Sequence, residues 1–299
     1  DASNVAELKN QIFDPGAAKD FQIQTPATID GAGNHVTADN SLTIEVHAFD
    51  KYGNFKDNFT QSDAIQLQLS LSGNVVGADN ITPIGDDKID FGGSFPQGIG
   101  RIKIRDTVAE TIDLTLADHL SAGYTSNTVQ VKIKHGSPVD FIITNALGRN
   151  DTGTNPTFAT RADVDIEVEV TARDAFANTV EDFAGKANLA FISGLSGTSF
   201  PSGQTISSWT NGVGTLLINK TVVGDVTVEV QDHVDAPVML NTDGLAQRTI
   251  TVVHGLPNKY AFITPTPPIV AGAEINVTIE AQDVHGNKAL SYDGAGKDV

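Results

Sequence analysis

The sequence predicts an all-β chain of tandem immunoglobulin-like β-sandwiches, and three observations carry that prediction. First, apolar residues alternate with polar ones: Leu42, Ile44, Val46 and Ala48 with Thr43, Glu45 and His47, and Val164, Ile166, Val168 and Val170 with Asp165, Glu167 and Glu169. A period of two marks strands with one packed face and one wet face. Second, a block repeats: FPQGIGRIKIRDTVAETIDLTLADH from Phe95 returns as WTNGVGTLLINKTVVGDVTVEVQDH from Trp209, 114 residues later and without a gap. Gly98, Gly100, Thr107, Asp118 and His119 recur there as Gly212, Gly214, Thr221, Asp232 and His233, and such self-similarity marks repeated structural units. Third, the 37 acidic residues comprise 28 Asp and nine Glu; Asp belongs to turns, whereas Glu favours helices.

Taken in chain order, Val5, Leu8 and Ile12 keep a helical spacing, so residues 1–17 are expected to form a short helix or docked arm, with Phe13 as a further apolar residue. A first sandwich is expected over 18–136, with alternating runs at Ile65–Leu71, Ile112–Leu116 and Val129–Ile133. A second is expected over 137–254, with runs at Ala187–Phe191, Val226–Val230 and Ile250–Val252. About seven short strands per unit, with turn signals every 8 to 12 residues, is the pattern of an immunoglobulin-like sandwich. The joints read His135-Gly136-Ser137-Pro138 and His254-Gly255-Leu256-Pro257. Gly and Pro punctuate there without supplying a long flexible linker, so neighbouring domains are expected in restricted orientations. Residues 255–299 begin a third unit that stops short of a full sandwich. Its apolar Ile275, Val277 and Ile279 leave three expectations open: a smaller type of sandwich, a chain that continues past Val299, or strand completion by another subunit, with Val5, Leu8, Ile12 and Phe13 as the candidate donor arm. That exchange would build a head-to-tail polymer.

A formal charge of −18 disfavours nucleic acid and anionic membrane surfaces as partners. The chain holds no apolar run near the 18 residues a membrane helix needs. It also holds no cysteine, which removes disulfides, thiolate nucleophiles and cysteine-based metal sites. GxSxG, HExxH, GxxxxGK[ST] and a strand-to-helix GxGxxG are all missing, so the chain is read as non-enzymatic. An acidic, cysteine-free β chain rich in Asn, Asp, Gly and Thr suits a bacterial or archaeal exterior, where Asp-rich turns meet millimolar calcium.

One motif occurs three times after an alternating strand: LTIEVHAFDKYGN, DIEVEVTARDAFAN and INVTIEAQDVHGN. Asp50, Asp174 and Asp283 end the strands, 124 and 109 residues apart, and Asn54, Asn178 and Asn287 follow four residues on. In one reading each Asp bonds the turn backbone while Gly and Asn accept positive φ. In the other, these oxygens and a neighbouring carbonyl hold Ca²⁺ at a domain junction, calcium taking six to eight oxygens at about 2.3 to 2.6 Å. Asp86, Asp87 and Asp90 form the second candidate calcium loop. His119 and His233 are read as hydrogen-bonded strand ends, and Phe95 and Trp209, at one repeat position, as sandwich core.

The Asp174–Gly185 stretch, with its DxxxN loop followed by an aromatic and a glycine, resembles bacterial Ig-like repeats of the invasin and Big type. The W/F-x-x-G-V/I-G block and the strand TVVGDVTVEVQD after it are similar to the same repeats, and the resemblance spans nearly the whole chain. It implies an Ig-like fold and a cell-surface setting, as in surface-layer proteins and adhesins. The second copy departs by carrying Ala177 at the loop glycine, which is expected to shift the left-handed turn to Asn178. The expected function is a non-catalytic structural subunit of a prokaryotic extracellular assembly, a surface layer or filament. Calcium stabilises its joints in this expectation, and its partners are further copies and cell-envelope polysaccharide. The alternatives are a spacer or ligand-binding region of a large adhesin, and an accessory module of a secreted polysaccharide-degrading enzyme.

Overall fold

The clean alternation at Leu42–Ala48 falls in the longest strand among the described residues, Ser41–Asp50. In the computed structural model, residues 14–59, 65–70, 76–77, 88–90, 95–118, 121, 123–148, 159–162, 164–233, 246–263 and 268–290 are described. The chain divides into two compact units, Asp1–Gly136 and Ser137–Val299. Among the described residues the regular structure is β, apart from one 3₁₀ turn at Pro96–Gly98.

The first unit contains β1 (Ala18–Ile23), β2 (Val36–Thr37), β3 (Ser41–Asp50), β4 (Ile65–Ser70), β5 (Val76–Gly77), β6 (Lys88–Asp90), β7 (Ile99–Arg105), β8 (Thr111–Asp118), β9 (Thr125–Ser126) and β10 (Val129–Lys134). They form two five-stranded sheets, ordered β5-β7-β3-β1-β9 and β2-β10-β8-β4-β6. The inward-facing alternates of β1, β3 and β7, among them Phe21, Ile44, Val46 and Ile102, meet Ile112, Leu114 and Val131 of the second sheet in one core. Burying each such side chain stabilises the unit by about 1.5 to 3 kcal/mol. Phe21, Phe59 and Phe95 close the core edge to face, with ring centroids 5.1 to 6.1 Å apart.

The second unit repeats the plan with β11 (Asp140–Gly148), β12 (Ala159–Arg161), β13 (Ile166–Arg173), β14 (Ala187–Ser193), β15 (Thr198–Ser199), β16 (Thr205–Ile206), β17 (Trp209–Thr210), β18 (Val213–Lys220), β19 (Gly224–Asp232) and β20 (Gln247–Val253). One sheet runs β11-β13-β18-β15, with β17 also on β18, and the other runs β12-β20-β19-β14-β16. Among the described residues each sandwich therefore shows ten strands rather than about seven; the extra ones are chiefly two-residue pairings at the sheet margins. The same unit holds a separate hairpin, β21 (Lys259–Ile263) with β22 (Thr278–Gln282).

The 114-residue repeat has a steric cause. Gly98 and Gly212 sit at φ +73 and +76, where an added Cβ would lie 2.1 Å from the Lys56 carbonyl oxygen and 2.6 Å from that of Val180. A Cβ on Gly100 would strike the Phe95 ring at 2.5 Å, and one on Gly214 would meet Ile206 at 2.4 Å and the Trp209 ring at 2.9 Å. The first glycine lets the backbone approach the segment after the Asp motif, and the second seats an aromatic ring flat on the chain. Trp209 stacks on Phe141 with centroids 5.7 Å apart, packs edge-on to Phe183, and donates its indole N–H to the Gly185 carbonyl at 2.9 Å.

Candidate functional site: the aspartate–asparagine loops

The repeated Asp stands last on its strand or directly after it, and an inward register buries it: Asp50, Asp174 and Asp283 are at most 3 % exposed. A buried carboxylate needs donors. Asp50 Oδ1 accepts the backbone N–H groups of Tyr52 at 2.8 Å and Asn54 at 2.9 Å. Its Oδ2 accepts Asn54 Nδ2 at 3.0 Å and the Gly16 N–H at 2.9 Å. Around Asp283 the donors are His285 N, Asn287 N and Asn287 Nδ2, with the N–H of Gly255 at 2.8 Å as the fourth. Asp174 repeats the loop bonds with Phe176 N, Asn178 N and Asn178 Nδ2, each at 2.9 Å. The main chain closes the turn in all three, the Asp N–H donating to the Asn carbonyl at 2.9 Å.

These bonds decide the electrostatics. The Asn54 side chain, helped by the Gly16, Asn54 and Tyr52 amides, holds the Asp50 carboxyl well below the usual carboxylate range. Burial pushes Asp283 up, but bonds from Asn287, Gly255 and His285 outweigh it and leave its pKa lowered. Both carboxylates are thus ionised, with N–H groups pointed at both oxygens. A calcium ion at the same oxygens would have to displace those donors. No group of three or more His, Asp or Glu side chains is placed to hold a metal among the described residues.

The middle loop corrects one expectation. Ala177 itself takes the left-handed conformation at φ 67, matching Gly53 at φ 81 and Gly286 at φ 89. The Asp174 bonds need that residue's peptide turned, so the loop keeps its geometry and the alanine carries the strain.

A further copy escaped the sequence reading. Asp30 accepts Ala32 N at 3.0 Å, Asn34 N at 3.1 Å and Asn34 Nδ2 at 2.8 Å, with Gly33 at φ 80. The stretch Asp30-Gly31-Ala32-Gly33-Asn34 shows the same spacing; it lies in the connection between β1 and β2 rather than after an alternating strand. Its pKa is lowered chiefly by the Asn34 side chain, and Lys134 Nζ lies 3.7 Å away where the Asp50 and Asp283 loops use a glycine amide. The loop is thus a general conformational unit, and its fourth donor differs from place to place.

At the end of the second sandwich the third loop makes contacts beyond itself. Asn287 Nδ2 also donates to the Thr221 carbonyl at 2.8 Å, and Asn287 Oδ1 accepts the Val223 N–H at 3.3 Å. The connector residue Gly255, held by Asp283, is buried. On the hairpin, Ile275, Val277 and Ile279 are 45 to 57 % exposed, and Phe262 is 69 % exposed. Asp86 and Asp87, and the arm residues Val5, Leu8, Ile12 and Phe13, lie outside the described residues. Asp90 is the last residue of β6, opposite Gln66.

No protein-family model and no curated protein matches the chain. Among solved structures it is similar to the Escherichia coli adhesin FdeC, at 14 % identity over 92 % of this chain and 77 % of that one, with a TM-score of 0.44. It is similar to Yersinia pseudotuberculosis InvD at 16 % identity, over 85 % of this chain and 69 % of that one, with a TM-score of 0.38. Domains 5–6 of the S-layer protein SbsC are matched at 17 % identity over 78 % of this chain and 98 % of the other, with a TM-score of 0.25.

Proposed function

We propose that the chain is a non-catalytic structural segment of a prokaryotic extracellular assembly, a surface layer or filament, in which Ig-like sandwiches act as stiff spacers. The observation that carries this reading is where the repeated residues are spent. Gly98 and Gly212, Gly100 and Gly214, and the Asp–Asn pairs all serve backbone shape and core closure. Two units closed by the same devices and followed by a connector held at Gly255 suit a load-bearing or spacing role. The cysteine-free, acidic composition supports an extracellular place. The held connector serves a second reading as well, the spacer region of a large adhesin.

Sedimentation velocity on the 299-residue chain separates the two. Particles much larger than a monomer are expected for a self-associating subunit; an elongated monomer at all concentrations overturns that reading in favour of the adhesin spacer. Repeating the run in millimolar calcium and in excess chelator reads the cation. Dissociation in chelator assigns calcium to the assembly, and unchanged particles remove it.

A further inference from the structure

We infer that Asn287 is a joint clamp: its carboxamide closes its own turn and at the same time fixes the end of the preceding sandwich, so that the hairpin unit cannot swing about the His254–Pro257 connector. The inference rests on the stiff-spacer reading and deepens it.

Both hydrogens of the carboxamide and its oxygen are engaged. Nδ2 donates to Asp283 Oδ2 and to the Thr221 carbonyl, each at 2.8 Å, and Oδ1 accepts from Val223 N at 3.3 Å. This pattern fixes the amide orientation, because the flipped form would set an oxygen against two acceptors. The asparagine thus faces a main-chain donor and acceptor two residues apart on the other element.

Both ends of the clamp are anchored. On the hairpin side, Asp283 is fully buried and also holds the Gly255 amide, while His254 Nδ1 lies 2.8 Å from the Gly255 carbonyl oxygen. On the sandwich side, Thr221 N donates to the Gly197 carbonyl at 2.9 Å, and the ammonium of buried Lys220 donates to the carbonyls of Gly194 at 2.8 Å and Ser196 at 3.1 Å. Swinging the hairpin must break the two bonds to residues 221–223, and the path leads from them into the end of the second core. Asn54 supplies the contrast: it makes the same side-chain bond to its Asp, at 3.0 Å, and shows no bond beyond its loop among the described residues.

The absence of cysteine makes the test direct. Spin labels at Ser202→Cys and Thr278→Cys, both exposed, report the distance distribution between sandwich and hairpin by pulsed electron paramagnetic resonance on the full chain. The distribution is expected to be narrow, to broaden at least twofold in Asn287→Ala, and to stay unchanged in Asn54→Ala. Hydrogen exchange at the His285 and Asn287 amides, which donate to Asp283, is expected to remain slow in Asn287→Ala, showing that the loop is still folded. A narrow distribution that survives Asn287→Ala overturns the clamp and leaves the stiff-spacer reading standing. Equal broadening by Asn54→Ala, or loss of amide protection in Asn287→Ala, also overturns it by assigning the effect to general loosening. A broad distribution in the unmutated chain overturns the stiff-spacer reading itself.

Discussion

The two sandwiches bury opposite charges at one repeat position. Residue 106 plus the 114-residue offset is 220, and there the first unit has Asp106, 2 % exposed, where the second has Lys220, 3 % exposed. Lys220 reaches the Gly194 and Ser196 carbonyls, and burial lowers its pKa. Asp106 instead accepts the Val108 N–H at 2.8 Å through Oδ1. Its Oδ2 and Glu110 Oε1 are buried without a hydrogen-bond partner among the described residues. Burial, and then the Asp106 charge, raise the pKa of Glu110. The repeat therefore fixes the backbone path of the strand end but not the polarity of its anchor. A cation ties down a carbonyl-rich turn in one unit, and an anion ties down an amide in the other.

Exchanging the anchors breaks the comparison most severely. Lys220→Asp sets a carboxylate against two carbonyl oxygens and is expected to cost the second unit about 4 kcal/mol, the range for an uncompensated buried charge. Calorimetry should show that unit's transition falling while the first stays in place. A cost as small as that of a surface substitution would mean that the two strand ends are interchangeable.

Removing a shared device comes next. Asp174→Ala strands the Phe176 and Asn178 amides and is expected to cost about 3 kcal/mol, read as a lower denaturant midpoint for the second unit.

The carboxyl pair sharpens the comparison through pH. Because the folded pKa of Glu110 is raised, its contribution is complete below the ordinary carboxylate range and is lost as pH rises through the raised value. Asp50 and Asp283 have lowered values, so their contributions are present above the ordinary range and are lost as pH falls. Glu110→Gln is thus expected to raise the first unit's melting midpoint at pH 7 by on the order of 5 °C and to leave it unchanged near pH 4. An equal shift at both pH values would show that the Glu110 carboxyl does not gain a proton in acid.

The contrast also shows what the chain makes legible. Alternation located such long strands as β3, β13 and β19, because one packed and one wet face impose a period of two, and the glycine–aromatic block marked where backbone and ring must touch. The buried anchors were missed for a reason of the same kind. Lys220 continues the inward register of Gly214, Leu216 and Ile218, and Asp106 that of Gly100, Ile102 and Ile104. A charged residue at a strand end reads as solvated unless its register is followed through. The Asp–Asn spacing was legible as a turn, but its fourth donor was not. Gly16, Gly255 and Lys134 lie 34, 28 and 104 residues from the carboxylates they approach, a separation that only the fold closes.

The smallest effect tests whether the loops are one device with one strain. Gly53 and Gly286 occupy the left-handed region without a Cβ, whereas Ala177 occupies it with one, at φ 67. A side chain there costs about 1 kcal/mol relative to glycine, opposed by the entropy glycine loses on folding. Ala177→Gly is therefore expected to stabilise the second unit by about 0.5 kcal/mol, and Gly53→Ala to destabilise the first by a similar amount. Paired denaturant titrations resolve the two signs. If Ala177→Gly destabilises instead, the strain at Ala177 is smaller than the entropy glycine loses on folding, and the three loops do not share one strain.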